Sequence, residues 1–172
     1  MRLSNRPRLA ALSRFRFLPA LFMCMLAYCL LVPNTAAAKP RVWPVTGTFQ
    51  TQVQPPASCP PPYTVCSSGI VTGALEGTVK VVIQSSTVSV DASGTPFSRY
   101  TGTITVATMR GELSGRVNGQ VRLTDGALSS VVTFTQGTRS YHNTIGALEV
   151  NGTINLVTGA ELDTFQGALY RR

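Results

Sequence analysis

Charge is scarce in this chain, and acid scarcer still: its 172 residues include 15 lysines and arginines, seven aspartates and glutamates and one histidine. With His142 as the sole histidine and no Cys-x-x-Cys spacing, a metal centre of the His/Cys kind has no ligand set, and no metal is expected. No paired-carboxylate motif, nucleophile elbow or phosphate loop appears, and no cofactor is implied. Basic clusters interleaved with aromatics are lacking too, which argues against nucleic acid as a partner. Beyond the first forty or so residues there is no helical spacing of useful length, which excludes a helical domain.

The N-terminus is of a different character. Arg2, Arg6, Arg8, Arg14 and Arg16 precede an apolar run from Phe17 to Val32 that only Pro19 interrupts. Pro33, Asn34 and Thr35 then break the pattern ahead of Ala36, Ala37 and Ala38, small residues of the kind a signal peptidase accepts. This spacing predicts a signal helix over 1–38, with cleavage near Ala38 and a secreted or periplasmic product. An uncleaved anchor helix is the competing reading, since the run approaches the roughly 20 apolar residues that span a bilayer. The alanines and the polar chain after them favour cleavage, leaving no membrane attachment. A lipoprotein at Cys29 is excluded by bulky Tyr28 before it.

Loss of the leader removes five arginines and no acid, so the remainder has ten basic residues against seven acidic, a mild net +3. Two cysteines remain, Cys59 and Cys66, bracketing Pro60, Pro61, Pro62, Tyr63, Thr64 and Val65. In an oxidising compartment such neighbours most simply form one disulfide that staples a short, proline-stiffened loop.

About 134 residues then suit a single domain, with 39–44 as a short linker and 45–172 as the domain. Its pattern has period two nearly throughout. Leu113, Gly115, Val117, Gly119, Val121 and Leu123 alternate with Glu112, Ser114, Arg116, Asn118, Gln120 and Arg122, the mark of a strand with one dry and one wet face. Eight strands are predicted, at 45–54, 70–84, 87–91, 98–107, 112–123, 128–136, 144–156 and 161–170. Gly94, Gly111, Gly126, Gly137 and Gly159 punctuate the short connections, which favours antiparallel neighbours. The expected fold is all-β, an up-and-down barrel or failing that a sandwich.

Glycines recur inside these strands, as in Val45, Gly47, Phe49 and in Val117, Gly119, Val121, Leu123. Each costs roughly 0.5–1 kcal/mol against alanine in a strand, so something must offset it. Two offsets stand open: kinks that let strands coil around a small barrel, or free interior volume for a ligand.

Tyr100 to Leu169, with Tyr-Thr-Gly-Thr-Ile-Thr-Val at 100–106, Gly137-Thr138-Arg139-Ser140-Tyr141, Ile145-Gly146-Ala147-Leu148 and Thr158-Gly159, resembles the barrel of allene oxide cyclase-like and dirigent-like proteins. In that superfamily the segment reads approximately Gly-Gly-Thr-Gly-Lys/Arg-Phe/Tyr, then Ala-Thr-Gly. Here Gln136 replaces the first glycine, Ser140 separates Arg139 from Tyr141, and Asn143-Thr144-Ile145-Gly146 stands in place of Ala-Thr-Gly. The resemblance implies a secreted eight-stranded barrel holding a small, largely apolar molecule. It also implies a homodimer or homotrimer, in a superfamily whose members steer cyclisation or coupling of such molecules. No catalytic residue carries over.

The inward phase nominates Phe49, Tyr100, Ile104, Val121, Phe134, Ile154 and Phe165 as ligand-contacting residues. For chemistry the candidates are His142, Tyr141 and Tyr100, with Ser130 and Gln136 as further interior polar groups. For His142 the favoured reading is instead a surface loop residue. Glu76, Glu112 and Glu149 fall on the outward phase with Lys80, Arg116 and Arg122, a solvated face. The expected function is a secreted barrel binding an apolar small molecule. The alternatives are a barrel cyclase or isomerase, an eight-stranded outer-membrane barrel, or a purely structural secreted protein.

Overall fold

The structure is a computed structural model that describes residues 41–171. The expected signal helix and its cleavage point near Ala38 lie outside the described residues. Eight strands make up most of the described residues: β1 (Arg41–Val53), β2 (Val65–Gly73), β3 (Gly77–Val90), β4 (Pro96–Thr108), β5 (Gly111–Arg122), β6 (Ala127–Gly137), β7 (Thr144–Ile154) and β8 (Ala160–Arg171). Every strand is antiparallel to the next, and β8 returns to β1 with Arg41 opposite Arg171 and Gln52 opposite Ala160, closing the barrel.

Closure follows from the period-two pattern, since a sheet with one apolar face removes that face from water and loses its free edges by curling on itself. Val45, Phe49, Val71, Val79, Ile104, Val106, Leu113, Val117, Val132, Phe134, Leu148, Val150, Phe165 and Leu169 form one continuous buried cluster inside. Each large side chain so buried contributes about 2 kcal/mol from the apolar area it removes from water.

Two predicted strands need redrawing. The stretch 70–84 is not one strand but the end of β2 and the start of β3, joined by a turn at Ala74, Leu75 and Glu76. Gly73 enters that turn at φ +93, a conformation that glycine adopts without a Cβ penalty. Leu75 kept the apolar phase unbroken because it plugs the barrel end, 1 % exposed, and not because it lies in a strand. The stretch 87–91 is no separate strand; it continues β3 beyond a bulge between Ile83 and Ser85. The count of eight survives because the two departures offset each other. Arg41–Pro44, expected in a linker, are the first residues of β1.

The space above the interior glycines is filled. A Cβ on Gly47 would fall 2.5 Å from the Phe165 ring, and one on Gly119 would fall 2.6 Å from the Tyr100 ring. Above Gly152 stands the Asp163 carboxyl, 2.1 Å from where a Cβ would be. These glycines let rings and a carboxyl from neighbouring strands reach across a narrow barrel.

Cys59 and Cys66 are joined by a disulfide, with Cα atoms 5.6 Å apart. With Tyr63 and Val82 they form a small second cluster that fastens the β1–β2 loop against β3. The Pro61–Pro62 bond of that loop is cis.

Candidate functional site

The barrel has two ends of opposite chemistry. At one end, where β1 stops and β8 begins, the inward phase turns polar. Glu161 and Asp163, two residues apart on β8, share that phase with Phe165 and Leu169, while Leu162 points out. With Thr51, Tyr100 and Ser130 they border a small space of about 30 Å³, otherwise lined by Phe49, Val79, Val81, Ile104, Val117 and Val150. Such a volume holds a water or two, well short of the roughly 300 Å³ at which small-molecule pockets begin.

Asp163 is 3 % exposed, and its Oδ1 has no hydrogen-bond partner among the described residues. Burial, followed by the negative charge of Glu161, pushes its pKa up to about 8, so the carboxyl carries a proton at neutral pH. Glu161 accepts a hydrogen bond from the Thr51 hydroxyl. Burial also raises the Tyr100 hydroxyl, an effect that its hydrogen bond to Ser130 partly offsets. The absence of paired carboxylates expected above is thus corrected: no acidic motif marks the pair, and only the phase of β8 brings Glu161 and Asp163 together.

At the other end, where β1 begins and β8 stops, the core opens into a cavity of about 300 Å³. Trp43 and Val45 of β1, Leu75 of the β2–β3 turn, Tyr141 and Leu169 supply its apolar walls. Arg110, in the β4–β5 turn, and Ser140 stand beside them. Thr144 also borders it, 1 % exposed, and its hydroxyl has no hydrogen-bond partner among the described residues. A buried hydroxyl left unpaired costs about 1–3 kcal/mol.

The segment carrying Tyr141 is held tightly. Ser140 donates its backbone N–H to the Arg110 carbonyl at 3.0 Å and Tyr141 donates to the Thr138 carbonyl at 2.9 Å. Arg139 at φ +50 and Asn143 at φ +60 bracket it in the left-handed region. Such backbone costs of order 1–3 kcal/mol for a residue like arginine, and strain of this kind gathers at functional sites.

The residues nominated from sequence therefore divide. Phe49, Tyr100 and Ile104 line the small interior space, while Phe134 and Phe165 are packed core, the latter with its ring 4.6 Å from that of Phe49. Val121 and Ile154 are half-buried near the Asp163 end, where β5 and β7 stop. Tyr100 and Tyr141 lie at opposite ends of the barrel and do not form one site. His142 is exposed in a shallow groove on the outer wall with Glu112, Ser114 and Gln136. Gln136, expected inside, is turned out by a bulge where Ser114 opposes it and the next residue, Gly115, opposes Phe134. Trp43, Leu75, Arg110, Thr144 and Leu169 were not nominated: Trp43 fell in the expected linker and Arg110 in a turn, and a strand's phase marks its inward face without saying which end of the barrel a residue occupies.

The barrel interior thus offers a proton and a water-sized space, and the Trp43 end offers a ligand-sized apolar cavity with hydrogen-bonding groups. Comparisons of the chain with protein-family models, with curated proteins and with solved structures find no match in any of the three.

Proposed function

We propose that this chain is an extracytoplasmic binding barrel that holds an apolar small molecule at its Trp43 end. The observation that carries this reading is the cavity walled by Trp43, Tyr141, Leu75 and Leu169, with Arg110 and Ser140 beside them. Apolar walls give affinity by removing ligand surface from water, and a few polar groups at their edge fix orientation. The Cys59–Cys66 disulfide supports an oxidising compartment. The resemblance to allene oxide cyclase-like and dirigent-like barrels supports a ligand-holding role and adds a homodimer or homotrimer to the reading. Cyclase or isomerase chemistry draws its best support from protonated Asp163 beside Tyr100. Because that space admits water and not a substrate, binding is the reading we favour.

Trp43 is the only tryptophan in the chain, so its emission reports on the cavity directly. Titrating the secreted form with decanol is expected to shift that emission saturably. Ala74 is exposed at the cavity edge, so Ala74→Phe fills the opening without disturbing the core, and it should abolish the response. An unsaturable response, or one that Ala74→Phe leaves intact, would overturn the proposal. Light scattering of the same preparation measures the oligomeric state.

A further inference from the structure

Resting on that reading, we infer that the ligand of the Trp43 end is an anionic amphiphile, an alkyl or ring body bearing a carboxylate, phosphate or sulfate head. Four arginines gather at this end: Arg41 at the start of β1, Arg110 in the β4–β5 turn, Arg139 before Ser140, and Arg171 at the end of β8. All four are exposed, and none makes an ion pair among the described residues, where the one salt bridge joins Arg122 to Asp125. The acids of the same end are Glu76, in the β2–β3 turn, and Glu112, on the outer face of β5 beside Ser114. Cations therefore outnumber acids two to one at the mouth of the apolar cavity, although the whole domain is only mildly basic.

The register makes the case sharper. Arg41 and Arg171 are directly opposite one another across β1 and β8. Both share the inward phase, Arg41 with Trp43 and Val45 and Arg171 with Leu169. Like charges directly opposite on one sheet face are destabilising, and no acid within the described residues compensates this pair. A bound anion would. Arg41 also lies over the Trp43 ring, its Cζ 5.7 Å from the centroid, so this guanidinium stands beside the aromatic wall of the cavity. Arg110 belongs to the cavity lining itself, so a head group beside it leaves the body of the ligand against Leu75, Tyr141 and Leu169. Guanidinium groups recognise planar or tetrahedral oxyanions in a bidentate manner, which suits all three head groups.

Trp43 emission followed with decanol, decanoate and decyltrimethylammonium at about pH 7, where the acid is ionised, separates the head from the tail. Decanoate is expected to bind about tenfold more tightly than decanol. That preference should fall to about threefold or less in Arg110→Gln, and shrink likewise between about 0.05 and 0.5 M salt. The alkylammonium should bind most weakly. Equal affinity for all three probes, unchanged by Arg110→Gln, would sink the charge selection while leaving the apolar reading intact. Failure of every probe, the anionic vesicles included, would remove both. Sedimentation with phosphatidylglycerol vesicles, set against phosphatidylcholine vesicles, identifies the source of the head group. Binding to the anionic vesicles without binding of free decanoate supports the same selection with a bilayer as the donor.

Discussion

Burial raises the proton affinity of Asp163 to a pKa of about 8, so the folded chain keeps a proton there that the unfolded chain releases near pH 4. The folded pKa lies above the unfolded one, so this group's contribution is most favourable below about pH 4 and is lost as pH rises toward 8. Across that window each pH unit removes up to about 1.4 kcal/mol. Urea unfolding between about pH 4 and pH 9 is expected to show stability falling with pH, and Asp163→Asn should flatten the slope. A wild-type profile that is flat over the window would refute the buried proton. The glycines give a second test at this scale. Gly47→Ala puts a methyl group against the Thr72 backbone oxygen as well as against Phe165, whereas the nearest neighbours of Gly119→Ala are the Ser130 Cβ and the Tyr100 ring, of which the ring can shift. Overpacking of this kind costs about 1–3 kcal/mol, and Gly47→Ala should lie at the upper end because a backbone cannot rotate aside. Thermal unfolding of the two variants ranks them.

At the scale of elements, the β1–β2 connection departs most from a plain hairpin meander. Its prolines leave little backbone to pair, and the Cys59–Cys66 disulfide closes a loop with sequence separation 7. Restricting so short a loop in the unfolded chain contributes about 2 kcal/mol, so Cys59→Ser with Cys66→Ser should lower stability by that amount while far-ultraviolet dichroism keeps its β character. A loss above about 5 kcal/mol would mean that the small cluster of Tyr63, Val82 and the two cysteines holds the barrel together. β3 outruns this connection. β2 begins opposite Ile83, so Ser85 to Val90 pair with β4 alone, and Val88 and Val90 stay exposed there. The bulge at Ile83 and Ser85 shifts the register just where β2 begins, and it also explains why the alternation of β3 breaks in the sequence.

For the molecule as a whole, the apolar faces of all eight strands meet inside and the outward positions are mostly threonine, serine, glutamine and charged residues. A membrane-spanning barrel has the reverse arrangement, with an apolar band around its wall. Residues 39–172 are therefore expected to stay monodisperse in buffer without detergent, as gel filtration measures; aggregation that only detergent reverses would point to a lipid-facing wall. The two ends give the molecule an axis, with buried Asp163 beside half-buried Glu161 at one and, at the other, four arginines without an ion pair among the described residues.

How much of this was legible before folding differs by level. The all-β class, the inward faces of β5 and β6 and the pairing of Cys59 with Cys66 follow from residues adjacent in sequence, because alternation and short loops are local properties of a chain. The phase that turns Glu161 and Asp163 inward was also present, set by Phe165 and Leu169, but carboxylates on an apolar face are not sought where solvation would ordinarily hold them outside. Closure of β8 on β1, the position of Leu75 as a plug rather than a strand residue, and the turning out of Gln136 belong to register and bulges, which pair residues far apart. The cavity draws Trp43, Leu75, Arg110, Tyr141, Thr144 and Leu169 from five separate places along the chain. No local pattern joins them; they meet because a closed barrel brings every alternate turn to the same end, and that convergence exists only once the sheet has wrapped.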